Sequence, residues 1–219
     1  MIPLRDYNPS GTVPVLTIAL IVANVGVFGW QVSQPPRRMA AYVQNHGGLV
    51  PARFSAAVRM RDSGELKSAA GSIFTSLFLH GGVLHLLGNM WFLWLFGDNV
   101  EDRLGHVSFL LFYTACGVIA GFTHLATNWG SAIPCVGASG AISGVLGGYL
   151  VAFPRARIET MVPVFGCLPV IVLVPAGFFL VLWFLMQFYA FAANVAWQAH
   201  VGGFVAGVIL SLVLPERRG

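Results

Sequence analysis

Six apolar runs divide this chain and dictate the solvent it folds in. They cover residues 13–32, 76–97, 107–126, 138–153, 168–188 and 198–214. The breaks are the charged run from Asp98 to His106, the polar Asn128–Ser131 stretch, Pro154–Arg157, the region of Asn194, and Pro215 onward. Runs of roughly 17–25 apolar residues match a hydrocarbon layer about 30 Å thick. Inside lipid each backbone N–H and C=O must find its partner within the segment, which selects helices. Of 219 residues 57% are hydrophobic and only 9% charged, against about 25% charged in a soluble domain. The expected fold is all-α: a polytopic membrane protein, one domain over 1–219, with six spanning helices in contact with a lipid bilayer. Residues 33–73 form a long first loop whose apolar patches, Leu49-Val50 and Phe54, are expected to lie partly in the membrane interface.

Several classes fall away on composition. A net charge of +4 comes from scattered basic residues, so nothing suggests nucleic acid. Cys116, Cys135 and Cys167 have no metal-ligand spacing and form no even disulfide set. The first apolar run is about 20 residues and ends in Gln-Val-Ser-Gln rather than a small-residue cleavage site, so it reads as a span and not a secretory signal peptide. An even number of spans puts both termini on one side. Basic residues tie at six per side, but terminal and short-loop arginines weigh more than those of a long loop, which favours cytoplasmic termini.

Runs four and six are short and rich in small residues: Gly140, Gly144, Gly147 and Gly148 in one, Gly202, Gly203, Ala206 and Gly207 in the other. Small residues let helix backbones approach closely in lipid, so these two are expected to be neighbours at the bundle centre. Ser139 opens run four, 16 residues before Arg155, and His200 opens run six, 16 residues before Glu216. At 1.5 Å per residue both lie roughly 24 Å from the far face, at one depth. Run two enters from the same side and carries His85 and Asn89, at i and i+4 on one helical face. Polar side chains inside a membrane are costly and usually functional.

That constellation suits acyl transfer, with Ser139 as nucleophile and His200 as general base. The oxyanion would be held by the Ser139 N–H and the side chains of His85 and Asn89. No acid lies inside a span at that depth. Asp62 and Glu65 in the first loop stay open as partners of His200, but a Ser–His dyad is the simpler reading. His80 is expected to be structural or interfacial, Cys135 an inert thiol, and Glu101 and Arg103 organisers of the far-side loop. Trp91, Trp94 and Phe96 are expected to face lipid or the interface. His46, His106 and His124 receive no role.

Four pieces, His85-Leu-Leu-Gly-Asn89, Gly97 to Gly105 (GDNVEDRLG), Gly137-Ala-Ser139-Gly140 and His200-Val-Gly-Gly203-Phe-Val-Ala-Gly207, occur in the order found in the rhomboid family of intramembrane serine proteases. The resemblance covers about residues 70–214 and is to the bacterial six-helix type. It implies a six-helix bundle in the cell (inner or plasma) membrane, cytoplasmic termini, no cofactor or metal, and cleavage of single-pass transmembrane protein substrates. Small residues at the cut and helix-weakening residues after it are implied as well. So are Ser139 as nucleophile, His200 as base, and His85 and Asn89 as oxyanion donors. A substrate gate of Trp183 and Phe184 beside span five and a mobile cap near 189–197 are also implied. Two departures stand out. The Trp-Arg pair many members carry in the first loop is replaced by Ala69-Ala70-Gly71-Ser72, so that loop is anchored differently. The aromatic that some members place four residues after the nucleophile is Ser143, which leaves His200 without that support.

Rival chemistries lack their residues. A zinc protease needs His-Glu-x-x-His, and an aspartyl type needs two aspartates inside spans. The Gly-x-Ser-x-Gly elbow fails at Ala141, and a transporter would show repeat symmetry. The serious alternative is a catalytically silent rhomboid-like pseudoprotease that binds transmembrane clients.

Overall fold

The computed structural model describes residues 1–163, 168–189 and 196–214. Helices dominate. In chain order they are α1 (Val15–Ser33), α2 (Pro36–Tyr42) running into a π-turn (Val43–Gly47), α3 (Pro51–Met60), α4 (Ser63–Thr75) with a 3-10 turn (Ser76–Phe78), α5 (Val83–Leu104), α6 (His106–Thr127), α7 (Ser139–Ala152), α8 (Ala176–Met186) and α9 (Trp197–Val213). The sequence reading of an all-α chain is corrected by a small antiparallel sheet, ordered β1 (Ile2–Asp6), β2 (Arg157–Val162) and β3 (Val170–Pro175). Asp6 pairs with Ile158 at one end of the β1–β2 ladder, and Arg157 pairs with Pro175 at one end of the β2–β3 ladder.

Runs one, three, four and six become α1, α6, α7 and α9 within two residues of their expected ends. Run five does not. Its first half, Val170-Ile-Val-Leu-Val-Pro175, is strand β3, and only Ala176–Met186 is helix. A continuous apolar stretch does not reveal its period, and β-branched residues favour a pleated partner such as β2. Run two is displaced too. Gly81-Gly82 delays the helix start to Val83, and the charged run that should have ended it stays helical to Leu104.

The reason lies in Glu101, which is fully buried. Its carboxylate accepts the Leu16 N–H at 2.8 Å and the Thr17 N–H at 2.7 Å. Pro14 precedes α1 and offers no side-chain cap, so α5 supplies one to the orphan N–H groups. His106 Nδ1 lies 2.5 Å from the same carboxylate. Asp102 accepts from the Gly11 N–H and the Thr12 hydroxyl, and Arg103 donates to Ser211 Oγ of α9. The expected loop organisers therefore tie α5 to three other helices, α1, α6 and α9. Gly105, with φ +76°, makes the reversal from α5 to α6.

The long first loop folds instead into α2, α3 and α4. Leu49, Val50 and Phe54 are buried rather than interfacial. Leu49 and Cys135 exchange both backbone hydrogen bonds, at 3.0 and 2.8 Å. Leu49, Phe54, Ala69, Ile73 and Leu125 form a second apolar cluster. This is the anchor that stands in for the missing Trp-Arg pair, and it holds the segment leading to Ser139. Burial also pushes the Cys135 thiol up to about 11.

In the main core, Phe96 is fully buried, 5.0 Å edge-to-face from Tyr149, contrary to the expectation that it faces lipid. Trp94 is exposed, and exposed Trp91 donates from Nε1 to the Pro3 carbonyl. Two helices, α1 and α6, are by themselves long and apolar enough to cross a bilayer, and α4 with its 3-10 turn meets α5 at a 79° bend. Helix α7 is buried continuously from Gly140 to Tyr149. Fourteen residues extend about 21 Å, short of a hydrocarbon layer of about 30 Å.

Candidate active site

Helices α7 and α9 run parallel with their glycines face to face. A Cβ added at Gly203 would stand 2.9 Å from the carbonyl carbon of Gly140, and one at Gly207 would stand 2.6 Å from that of Gly144. Only hydrogen atoms fit between these backbones. The approach brings the first turns of both helices together, and there His200 Nε2 lies 2.8 Å from Ser139 Oγ. His200 is buried and Ser139 half-buried. Gly140 packs against Ala120, so this flanking glycine serves helix contact rather than substrate access.

The other flanking glycine, Gly137, has φ +122°, and a Cβ there would stand 2.7 Å from His85 Nε2 and 3.4 Å from Asn89 Nδ2. Its lack of a side chain both permits the turn into α7 and leaves room for the two tips from α5. His85 Nδ1 accepts the Gly81 N–H at 3.3 Å, so the ring proton sits on Nε2 and points donor-first toward Gly137. Asn89 donates one amide hydrogen to His80 Nε2 at 2.9 Å; its second stays available.

His80 has a structural role. Its backbone N–H donates to Gln31 Oε1 at 2.9 Å and its carbonyl accepts from Gln31 Nε2 at 3.2 Å, so α1 fixes the residue that orients Asn89. The His85–Asn89 pair was visible in the sequence; the contact of His80 with Asn89 and the Gln31 clamp were not.

These groups share one cavity of about 240 Å³, lined by His85, Asn89, Ser139, His200 and Trp183 among others. Phe184 is not in that lining. It stacks on Phe204 at 4.7 Å, while Trp183 lies 6.1 Å from the His200 ring and 6.1 Å from Phe204. Trp183 thus packs beside the histidine from α8. Ser143 turns its hydroxyl back to the Ser139 carbonyl at 2.6 Å. The sequence reading missed Gln187, whose Oε1 lies 2.8 Å from His200 Nδ1; the available signal was a lone amide at the end of an apolar run. The two open acids are elsewhere: Asp62 caps α4 through the Glu65 N–H, and Glu65 pairs with Arg53 at 2.7 Å. The expected cap near 189–197 falls mostly outside the described residues, as does Cys167.

A family model for the rhomboid domain matches residues 68–217, and the chain belongs to the rhomboid family. It is 31% identical over 216 residues to Rhomboid protein 1, mitochondrial, of Saccharomyces cerevisiae, covering 89% of this chain and 51% of that protein. It is 32% identical over 143 residues to Rhomboid protease GluP of Bacillus subtilis, covering 65% of this chain and 25% of the relative. Against the human Presenilin-associated rhomboid-like protein, mitochondrial, identity is 30% over 142 residues, 64% of this chain and 33% of the relative. The chain thus spans between a quarter and about half of the length of these relatives. Rhomboids are membrane-embedded, act on membrane proteins within the bilayer, and include serine proteases.

Proposed function

We propose that this chain is an intramembrane serine endopeptidase that cleaves single-pass membrane proteins with Ser139 and His200. The observation that carries the reading is the 2.8 Å contact between the serine hydroxyl and the imidazole Nε2, in a cavity that also holds two neutral donors. Ser139 Oγ attacks the scissile carbonyl carbon as its proton passes to His200 Nε2. The oxyanion is met by the Ser139 N–H at the start of α7, by His85 Nε2–H and by Asn89 Nδ2–H. The C–N bond then breaks, and His200 returns its proton to the leaving amine. A water molecule, deprotonated by His200, hydrolyses the acyl ester and restores Ser139.

The substrate is a transmembrane helix that must unwind locally, because a hydrogen-bonded helix hides its carbonyls from attack. Entry is between α5 and α8, where Phe92 and Trp183 face one another at 6.5 Å; Trp183 and Phe184 form the gate. The six expected runs each cross the membrane, the fifth with its strand-forming half at the far surface. Both termini then lie on the side away from Ser139, which in a bacterial cell membrane is the cytoplasm. Cysteines introduced at Gly11 and Gly64 should label from opposite faces; labelling from one face would overturn that topology.

The decisive experiment compares wild type, Ser139→Ala and His200→Ala for labelling by a fluorophosphonate and for cleavage of a model transmembrane substrate in detergent. Wild type should do both and neither variant should do either. A folded wild type that is neither labelled nor active would favour the client-binding pseudoprotease instead.

A further inference from the structure

Soluble serine proteases orient the base histidine with a buried carboxylate. Here no Asp or Glu among the described residues bonds His200; Gln187 Oε1 does. We infer that Gln187 is the positioning residue of the pair, its amide oxygen holding the proton on His200 Nδ1 so that Nε2 faces Ser139 as an acceptor. This rests on the reading of Ser139 and His200 as nucleophile and base.

The local fold of α8 decides which way the amide points. Past Met186 the helix tightens: the N–H groups of Gln187, Phe188 and Tyr189 bond carbonyls three residues back, those of Phe184, Leu185 and Met186. The Trp183 carbonyl, one of the last four of the helix, is taken instead by the Gln187 side chain, Nε2 donating at 2.9 Å. With that hydrogen bond made, Oε1 is the atom facing the imidazole and Nδ1–H must donate to it. The three hydrogen bonds then run in one direction: Ser139 O–H to His200 Nε2, His200 Nδ1–H to Gln187 Oε1, Gln187 Nε2–H to the Trp183 carbonyl.

The reversed amide fails at both ends. Turned by 180°, it would set Oε1 against the Trp183 carbonyl oxygen, two acceptors without a proton between them. It would also present an NH₂ to Nδ1, driving the ring proton to Nε2, where it would point at Ser139 and leave the serine without a base. The tautomer is therefore set by the C-terminal end of α8.

An amide is the fitting partner at this depth. A carboxylate in a largely apolar cavity loses hydration that nothing nearby replaces. A neutral oxygen selects the tautomer and orients the ring without a buried charge, the part an asparagine takes in Cys-His-Asn proteases. Trp183 and Gln187 lie one helical turn apart on α8, so the same turn covers the ring and aligns it.

The test begins with the wild-type protein in micelles, its histidine imidazoles labelled with ¹⁵N, at pH 8, where an ordinary histidine is neutral. The His200→Ala protein serves only to assign the resonances. The inference expects His200 in the Nδ1–H form; a dominant Nε2–H form overturns it. Gln187→Met keeps size and removes the acceptor. Its fluorophosphonate labelling rate and kcat should fall at least about tenfold, the loss of one hydrogen bond, with KM within twofold. A Gln187→Met protein labelled at the wild-type rate refutes the role of Gln187 alone. A wild type that is not labelled, or a Ser139→Ala protein that still is, refutes the dyad beneath it.

Discussion

Replacing Gly203 with alanine tests whether backbone approach creates the dyad. The new methyl carbon would stand 2.9 Å from the Gly140 carbonyl carbon, and closer still to its oxygen. Carbon atoms settle at about 3.5–4.0 Å, and neither helix offers a flexible side chain at this point to give way. Helices α7 and α9 must part by about 1 Å there. Gly140 adjoins Ser139 and Gly203 lies one turn from His200, so the displacement passes to the reacting atoms. The Ser139–His200 contact would open from 2.8 Å to nearly 4 Å, beyond the ordinary hydrogen-bond range. Misplacement of about 1 Å can lower a rate about 10²-fold, and overpacking of this kind costs about 1–3 kcal/mol of stability. The assay is the fluorophosphonate labelling rate of Ser139 in detergent, with Tm measured on the same samples. Gly29→Ala on α1, where a Cβ meets nothing within 4 Å, is the control and should keep wild-type labelling. A Gly203→Ala protein that labels as fast as wild type would show that this contact does not set the geometry of the pair.

Two further outcomes concern the far end of the bundle. Glu101→Gln removes the charge that caps α1 and meets His106. It should lower stability by about 3 kcal/mol, read as a drop in Tm, with labelling of Ser139 retained at low temperature; an unchanged Tm would contradict the capping role. Burial lifts the Asp6 carboxyl in β1 from 3.8 to about 6, outweighing the hydrogen bond from Tyr149, while the charge of Asp98 adds to the rise. Between those values the folded protein keeps a proton that the unfolded chain has released. Stability therefore falls as pH rises from about 4 to 6 and levels off above. Asp6→Asn should flatten that slope in a Tm-against-pH series, and a variant with the wild-type slope would refute the assignment.

The sequence alone determined the solvent and the positions of four helices to within two residues, and it gave an expected equal depth for Ser139 and His200. Those properties are written in local hydropathy and in fixed rise per residue. It did not distinguish helix from strand at Val170–Pro175, because a wholly apolar run carries no period. The charged run after Asp98 looked like a loop because its partners, the α1 N–H groups, lie some 85 residues away. Tertiary structure alone decided what the polar residues touch. Glycine contacts between α7 and α9 turn equal depth into a shared hydrogen bond, Gln31 and His80 aim Asn89, and Gln187 reaches His200 from a different helix. Each of these depends on two segments meeting at a particular rotation and distance. Packing sets those quantities, and spacing along a single chain does not record them.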